Sequence, residues 1–437
     1  MNAFSSTLLK KIKSKNATIA IAGMGYVGMP LAGALAKAGF KKIIGIDIDQ
    51  KRVDQLNSGI SLIPALPKSS LNKMIKNGFY ATTDFLNLQV ADALIICVPT
   101  PLTESKEPDL TYIQSTLTLS IPHLKPGVLI SLESTTYPGT TEELVAPQLV
   151  SGGFSIGVDI FLGYAPERED PGNEVFQTQD IPRVLAGMTP ICLRLMSALY
   201  GSFISTIHPV SSPRAAELTK LLENIQRSVN IGLMNEMKII ADKMGLNIFE
   251  VIDAASTKPF GFTPYYPGPG IGGHCIPIDP FYLTWKAKMY GVHTRFIELA
   301  GEINESMVDY VVSKSILKLN EQGIAISKSK ILILGLSYKK DVGDLRESPN
   351  IKILNSLINL GAKVNYSDPF FKTIPSMRKF KLHLSSMSLT PGNLKKHDLV
   401  LILTDHSSFD LKLICKHSVS IIDTRGSIPL SQKVTYA

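Results

Sequence analysis

The sequence predicts an α/β chain with two doubly wound (Rossmann-like) parallel-sheet domains joined by a long central helix, and three observations predict it. Short apolar runs alternate with helical stretches through the first 200 residues, as strands buried on both faces of a parallel sheet do. The same alternation resumes in the last third of the chain. Between the two, a single helical pattern runs unbroken from residue 212 to residue 244.

Taken in order, Ala17-Thr18-Ile19-Ala20-Ile21-Ala22-Gly23 is a buried strand that stops at a glycine. A helix follows over residues 26 to 38, closed by Gly39, and then a second strand, Lys42-Ile43-Ile44-Gly45-Ile46-Asp47, that ends in an acid. Ala93-Leu94-Ile95-Ile96-Cys97-Val98 and Val128-Leu129-Ile130-Ser131-Leu132 continue the sheet. Ser212-Pro213 supplies an N-cap and a first-turn proline for the long helix, which Gly245 stops. At 1.5 Å per residue it is roughly 45 Å long, suited to joining two domains. Residues 256 to 282 are dense in glycine and proline and read as an unusually long loop; a helix over residues 297 to 320 comes next. The strands Lys330-Ile331-Leu332-Ile333-Leu334-Gly335, Lys363-Val364-Asn365-Tyr366, Leu399-Val400-Leu401-Ile402-Leu403 and Ser420-Ile421-Ile422-Asp423 build the second sheet.

At 437 residues the chain exceeds what one core supports. The expected division is 1–210, a dinucleotide-binding domain; 211–310, a helical centre; and 311–437, a second α/β domain. An apolar share of 44% with 19% charged residues excludes a disordered chain or a disulfide scaffold. The net charge of +8 suits an anionic partner, but the basic residues are scattered, which fits a phosphate-bearing small molecule and gives no nucleic-acid module. Cys97, Cys192, Cys275 and Cys415 lie far apart with no metal-ligand spacing, so neither disulfides nor a metal site are expected. The apolar run after the N-terminal lysines is too short to span a bilayer and has no cleavage site. A cytoplasmic enzyme is the expectation, with no membrane partner.

Gly23-Met24-Gly25-Tyr26-Val27-Gly28 fits Gly-x-Gly-x-x-Gly, and it stands directly after a buried strand and before a helix. There the glycines allow a tight turn and close approach of a pyrophosphate to the positive end of the helix. Asp47 ends the next strand about 20 residues on, where a carboxylate accepts from an adenosine ribose and repels a 2′-phosphate, which favours NAD over NADP. Arg52 argues the other way, since it can attract that phosphate. Nothing later in the chain supports FAD.

Gly268-Pro269-Gly270-Ile271-Gly272-Gly273-His274-Cys275-Ile276-Pro277-Ile278-Asp279 is the most informative stretch. A cysteine that only packs usually sits inside an apolar strand or helix. Cys275 instead ends a turn-rich loop, with His274 before it and Asp279 four residues after it, as a nucleophile does. A thiol near its usual pKa of about 8.5 needs a cation or base close by. His274 is adjacent in sequence, but adjacent side chains point apart, and a backbone-positioning role competes with a chemical one. On the long helix, Lys220 and Asn224 share a face among Leu218, Leu221, Leu222, Ile225 and Val229. Either Lys220 snorkels from that apolar face or its ammonium stabilises a developing oxyanion. A two-electron hydroxy-acid dehydrogenase would use Lys220 but no cysteine; a non-catalytic NAD sensor would use neither. The apolar positions of the long helix suggest a homodimer at least.

These motifs, with Val98-Pro99-Thr100-Pro101, Glu133-Ser134-Thr135, Ala165-Pro166-Glu167-Arg168, Glu217 to Asn224, Tyr338-Lys339-Lys340-Asp341 and Leu345-Arg346-Glu347-Ser348-Pro349, resemble the UDP-glucose/GDP-mannose dehydrogenase family over nearly the whole chain. The Cys275 loop and Asp170-Pro171-Gly172-Asn173 look most like the bacterial UDP-N-acetylglucosamine 6-dehydrogenases. The resemblance implies a four-electron oxidation of a UDP-sugar C6 alcohol with two NAD, for surface polysaccharide precursors. It implies Cys275 as nucleophile, Lys220 and Asn224 at the oxyanion, Asp279 with Thr135 at the hydrolytic water, and Glu167 near the sugar alcohol. By the same resemblance Gly23, Gly25, Tyr26, Val27, Gly28, Asp47, Arg52, Thr100, Thr135 and Arg346 would hold the cofactor. Glu167, Arg168, Lys220, Asn224, Tyr265, Gly272 and Lys339 would line the nucleotide sugar, and the resemblance makes the C-terminal α/β domain, 311–437, the one that binds it. Two positions depart from relatives: Ile278, a lysine in some, and Pro171, where those place an acid.

Overall fold

A computed structural model describes residues 2–61, 66–103, 105–168, 176–377 and 380–437. The chain divides into two compact units: residues 1–223 with 281–292, and residues 224–280 with 293–437. Asp170-Pro171-Gly172-Asn173, and with it Pro171, lies outside the described residues.

The first unit is built on an eight-stranded sheet. Its strands are β1 (Ile19–Ala22), β2 (Ile43–Ile46), β3 (Tyr80–Thr82), β4 (Ala93–Ile96), β5 (Val128–Leu132), β6 (Ile160–Tyr164), β7 (Arg183–Gly187) and β8 (Ile207–Pro209), in the order β3-β2-β1-β4-β5-β6-β7-β8. From β3 to β6 every neighbour pair is parallel, and the order reverses at β1–β4, the crevice where doubly wound sheets bind ligands. The expected doubly wound sheet is present with one difference: β7 runs antiparallel to β6, and β8 parallel to β7. No crossover helix lies between β6 and β7 among the described residues, and neighbouring strands joined without one run antiparallel. β1, β2, β4 and β5 are buried at every residue, which is why they read as apolar runs, and β6, which the sequence reading did not anticipate, is buried throughout as well.

The second unit carries a five-stranded sheet of β9 (Lys330–Leu334), β10 (Lys363–Ser367), β11 (Leu399–Ile402), β12 (Ile421–Asp423) and β13 (Val434–Tyr436), ordered β10-β9-β11-β12-β13 and parallel throughout. Two hydrophobic clusters, one on each face, sandwich it. The long helix spans Pro213–Lys243, and the Ser212 hydroxyl accepts from the Ala215 N–H at 3.2 Å, as an N-cap does. The later helix runs Arg295–Glu321.

Two expected boundaries move. The helix after the glycine motif begins at Gly28, not at residue 26, because residues 24–27 form turns. The long loop ends at Ile278, since a helix spans Asp279–Lys288. Pro280 in its first turn has no N–H to leave unsatisfied there, and this start signal was hidden by the proline-rich run before it. No helix among the described residues is long and apolar enough to cross a membrane.

Candidate functional site

In the first unit the glycine loop closes over the C-terminal ends of β1 and β4. Gly23 has φ +95°, and a Cβ there would meet the Cys97 carbonyl oxygen at 2.6 Å, so only glycine fits. A Cβ on Gly28 would collide with the Gly23 carbonyl. At Gly25 the nearest atom to such a Cβ is Arg52 Nη1, at 3.9 Å, which leaves that side of the turn open. Asp47, at the end of β2, accepts from the Met24 and Asp49 N–H groups at 3.0 Å each and is bridged by Arg52 Nη1 at 3.2 Å. Both readings of Arg52 thus meet in one pair, and a 2′-phosphate would have to displace Arg52 from the carboxylate. Tight turn, helix start and buried acid fit a dinucleotide.

The exits of β4 and β5 are sewn together. Thr100 Oγ1 donates to the Thr135 carbonyl at 2.8 Å, and Ser134 Oγ donates to the Val98 carbonyl at 2.7 Å. Tyr282, fully buried, donates to the Thr100 carbonyl at 2.8 Å. Beneath them lies a buried network of Glu133, Arg183 and Tyr200 that sequence reasoning missed. Arg183 Nη1 donates to Glu133 at 3.1 Å and to the Pro166 carbonyl at 2.9 Å, and Tyr200 donates to the other Glu133 oxygen. Burial pushes the Glu133 carboxyl up, against the opposing charge of Arg183. The available signal was Arg183 itself, a charge opening an otherwise apolar strand.

Pro166 precedes Glu167, whose carboxylate lies 3.7 Å from Lys220 Nζ, with both side chains largely buried. Lys220 therefore does not simply snorkel: its head faces a carboxylate. One turn earlier on the helix, Glu217 is fully buried and accepts from the Gly139 N–H, from the Thr141 N–H at 2.9 Å and from Thr141 Oγ1 at 2.7 Å. Burial pushes its carboxyl up to about 7 despite these donors. Arg168 is engaged within the unit, paired with Glu223 at 2.6 Å and donating to the Pro182 carbonyl at 2.6 Å.

In the second unit, Cys275 sits half-buried at the start of a helical turn: its carbonyl accepts from Ile278 N–H at 3.0 Å and Asp279 N–H at 2.8 Å. Asp279 is buried and accepts from the Asn224 amide. The glycines ahead of the cysteine lie against Tyr338. A Cβ on Gly273 would meet that ring at 3.0 Å, and one on Gly272 would overlap the Tyr338 Cβ. Gly273 N–H donates to the Arg346 carbonyl at 2.9 Å. Burial lowers the pKa of His274, and the Arg346 guanidinium adds to it. Ile278 is buried.

The loop's entry is set by two buried amides, also missed. Asn235 accepts from Gly268 N–H at 3.0 Å and donates to Asn304 Oδ1 at 2.8 Å, and Asn304 donates to the Ser228 carbonyl at 3.1 Å. Tyr265 donates to Gln226 Oε1 at 2.7 Å. Lys339 is half-buried next to Tyr338. Arg346 forms a bidentate pair with Asp344, its shortest contact 2.7 Å. Among the described residues no cluster of His, Cys, Asp or Glu is arranged to hold a metal ion.

Three profiles of the UDP-glucose/GDP-mannose dehydrogenase family match the chain: the NAD binding domain over residues 17–204, the central domain over 214–306 and the UDP binding domain over 332–429. A UDP-N-acetyl-D-glucosamine 6-dehydrogenase of Pseudomonas aeruginosa is 34% identical, over 90% of this chain and 92% of its own. An NDP-N-acetyl-D-galactosaminuronic acid dehydrogenase of Ralstonia solanacearum is 35% identical, over 94% of this chain and 96% of its own. Among solved structures, that of a UDP-D-ManNAc dehydrogenase from Pyrococcus horikoshii aligns with a TM-score of 0.86 at 31% identity, over 96% of this chain and 98% of its own.

Proposed function

The chain belongs to the UDP-glucose/GDP-mannose dehydrogenase family, whose members are NAD-dependent, and from that premise we propose that it oxidises the C6 alcohol of UDP-N-acetylglucosamine to the uronic acid through a covalent Cys275 intermediate. One observation carries the covalent reading: Cys275 opens the turn that presents Asp279, and Asp279 is bonded to Asn224. A nucleophile, a carboxylate for water and an amide for an oxyanion are thereby tied within one hydrogen-bonded unit.

NAD, when bound, takes up one hydride at each of the two oxidation stages. Glu167, at 3.7 Å from Lys220, is the group to receive the alcohol proton. The Cys275 thiolate then adds to the C6 aldehyde, forming a carbon–sulfur bond and moving the carbonyl electron pair onto oxygen. Lys220 and Asn224 stabilise that oxyanion, each worth about 3 kcal/mol in the transition state. Loss of the second hydride from C6 leaves a thioester. Water, positioned by Asp279 and Thr135, adds to it, the carbon–sulfur bond breaks, and the thiolate returns. In sum, one alcohol, two NAD and one water yield one carboxylate, two NADH and three protons.

In this reading Gly23, Gly25, Tyr26, Val27, Gly28, Asp47, Arg52, Thr100 and Arg346 serve the cofactor, and Arg168, Tyr265, Gly272 and Lys339 the nucleotide sugar. The chain works as a homodimer, a proposal supported by the exposed Leu222, Leu233, Met237 and Ile240 on the long helix. The test counts NADH per UDP-N-acetylglucosamine consumed. The parent is expected to give two and Cys275→Ala none beyond the first; two from the variant reject the covalent step. Equal catalytic efficiency on UDP-GalNAc, UDP-ManNAc or UDP-glucose rejects the assigned sugar.

A further inference from the structure

We propose that His406 is a positioning residue for the nucleotide: it holds the turn at residues 338–341, and Lys339 within it, in the conformation that receives a uridine diphosphate group. The inference rests on the reading of the C-terminal domain as the UDP-sugar site.

Asp341 has φ +57°, a left-handed backbone that costs a non-glycine residue about 1 kcal/mol and persists only where its surroundings impose it. Two adjacent residues impose it. His406 Nδ1 accepts the Asp341 N–H at 3.0 Å, and Ser407 gives its N–H, at 2.9 Å, and its hydroxyl, at 2.6 Å, to the Asp341 carboxylate. Backbone and side chain of Asp341 are gripped together. The other end of the turn is fixed as well: the Ser348 hydroxyl donates to the Leu336 carbonyl at 2.7 Å and the Asn350 amide to the Ser337 carbonyl at 2.9 Å. Lys339 lies between these two anchorages.

The chemistry of the His406 site selects imidazole. Because Nδ1 is an acceptor, the ring proton is on Nε2, which faces Asp368 Oδ2 at 3.5 Å. Asp368 in turn accepts the Leu336 N–H at 2.7 Å and the Phe370 N–H at 2.8 Å. Burial would raise its carboxyl, but the His406 ring and those amides hold it below the usual range. Phe370 and Phe409 close on the ring edge-on, with centroids at 5.3 and 5.4 Å, and His406 is 2% exposed. A cation could not accept from Asp341, and a carboxylate would be repelled by Asp341 and Asp368. An imidazole accepting through Nδ1 avoids both conflicts, and it stands between Asp368 at the end of β10 and the Lys339 turn.

The experiment measures UDP binding by calorimetry together with KM for NAD in the full-length chain. His406→Leu removes the acceptor, His406→Asn returns an amide oxygen near the Nδ1 position, and Ser407→Ala removes one donor at the surface. Loss of one hydrogen bond weakens UDP binding about fivefold in His406→Leu. His406→Asn should recover most of that loss, Ser407→Ala should show a smaller loss, and KM for NAD should be unchanged in all three. Unaltered UDP binding in His406→Leu overturns the proposal, as does a loss of UDP and NAD together that Asn fails to rescue. If His406→Leu does not fold, unaltered UDP binding in Ser407→Ala overturns it. A parent chain that does not bind UDP at all refutes the domain reading first, a result distinct from either.

Discussion

Glu217 makes stability depend on pH with a sign opposite to that of most carboxylates. It is fully buried near the start of the long helix, and burial pushes it up to about 7 against the three donors of Gly139 and Thr141. In the unfolded chain it returns to an ordinary 4.5. A carboxyl that holds its proton more tightly in the fold contributes stability that is complete below about 4.5 and is lost as pH rises through about 7. The gap corresponds to about 3 kcal/mol. For a unit of this size that is roughly 10 °C in Tm.

Glu217→Gln is a permanent copy of the neutral form, so subtracting its Tm from that of the parent isolates the titration. The difference should fall by roughly 10 °C between pH 4.5 and 7.5 and be flat above. Asp92 and Asp368 do not mimic this, because both are held below the usual carboxylate range and act at lower pH, where stability is lost as they protonate. Calorimetric scans of the two proteins at half-unit pH intervals read it directly. Parallel curves would refute the reasoning, since they would mean that the donors of Gly139 and Thr141 fully offset burial. Lys220 stands one turn on from Glu217, so KM and turnover followed over the same range show whether the strain reaches the site.

Arg183→Met leaves Glu133 buried without its cation and should cost about 3–5 kcal/mol in urea denaturation, part of it regained by adding Glu133→Gln. Asp47→Ala frees Arg52, so the preference for NAD over NADP should fall at least about tenfold in kcat/KM; an unchanged ratio would show that Arg52 does not reach the ribose. Asn235→Ala strands the Gly268 N–H and should destabilise the chain by about 1–3 kcal/mol while changing the rate at which iodoacetamide alkylates Cys275; loss of stability with an unchanged alkylation rate would limit Asn235 to a structural role.

Six strands legible in the sequence, β1, β2, β4, β5, β11 and β12, are buried at every residue, because a strand covered on both faces has no alternative to an apolar run; β9 and β10 were legible although Lys330, Lys363 and Asn365 are exposed, and β6, equally buried, was missed. β3, β7, β8 and the short β13 escaped for the complementary reason. β3 and β8 are short and partly exposed, and β7 opens with Arg183, which breaks the pattern. Residues 26 and 27 read as helix because nothing in Tyr26 or Val27 distinguishes a turn from a first helical residue once the glycines are spaced for a dinucleotide. The helix from Asp279 was concealed by its own proline: read from the left, Pro277 and Pro280 continue a loop, and only the hydrogen bonds to the Cys275 carbonyl show that the second of them starts a helix.

Within the site, legibility followed chemistry. Cys275, Lys220 and Asp47 stood out because each is reactive or charged where an inert residue would serve packing equally well. Asn235, Asn304 and His406 did not, because an amide or imidazole in sequence carries no sign of what it bonds to, and each acts through a single backbone N–H or carbonyl far away in the chain. Glycine motifs fared better for the same physical reason in reverse: the demand they answer, room for backbone, is written in the missing side chain itself. Gly23, Gly272 and Gly273 each lie where a Cβ would strike a neighbour, and each was visible as part of a motif. The residues that shape the candidate site by removing atoms are therefore readable from sequence, whereas those that shape it by one distant hydrogen bond emerge only when the fold closes the distance.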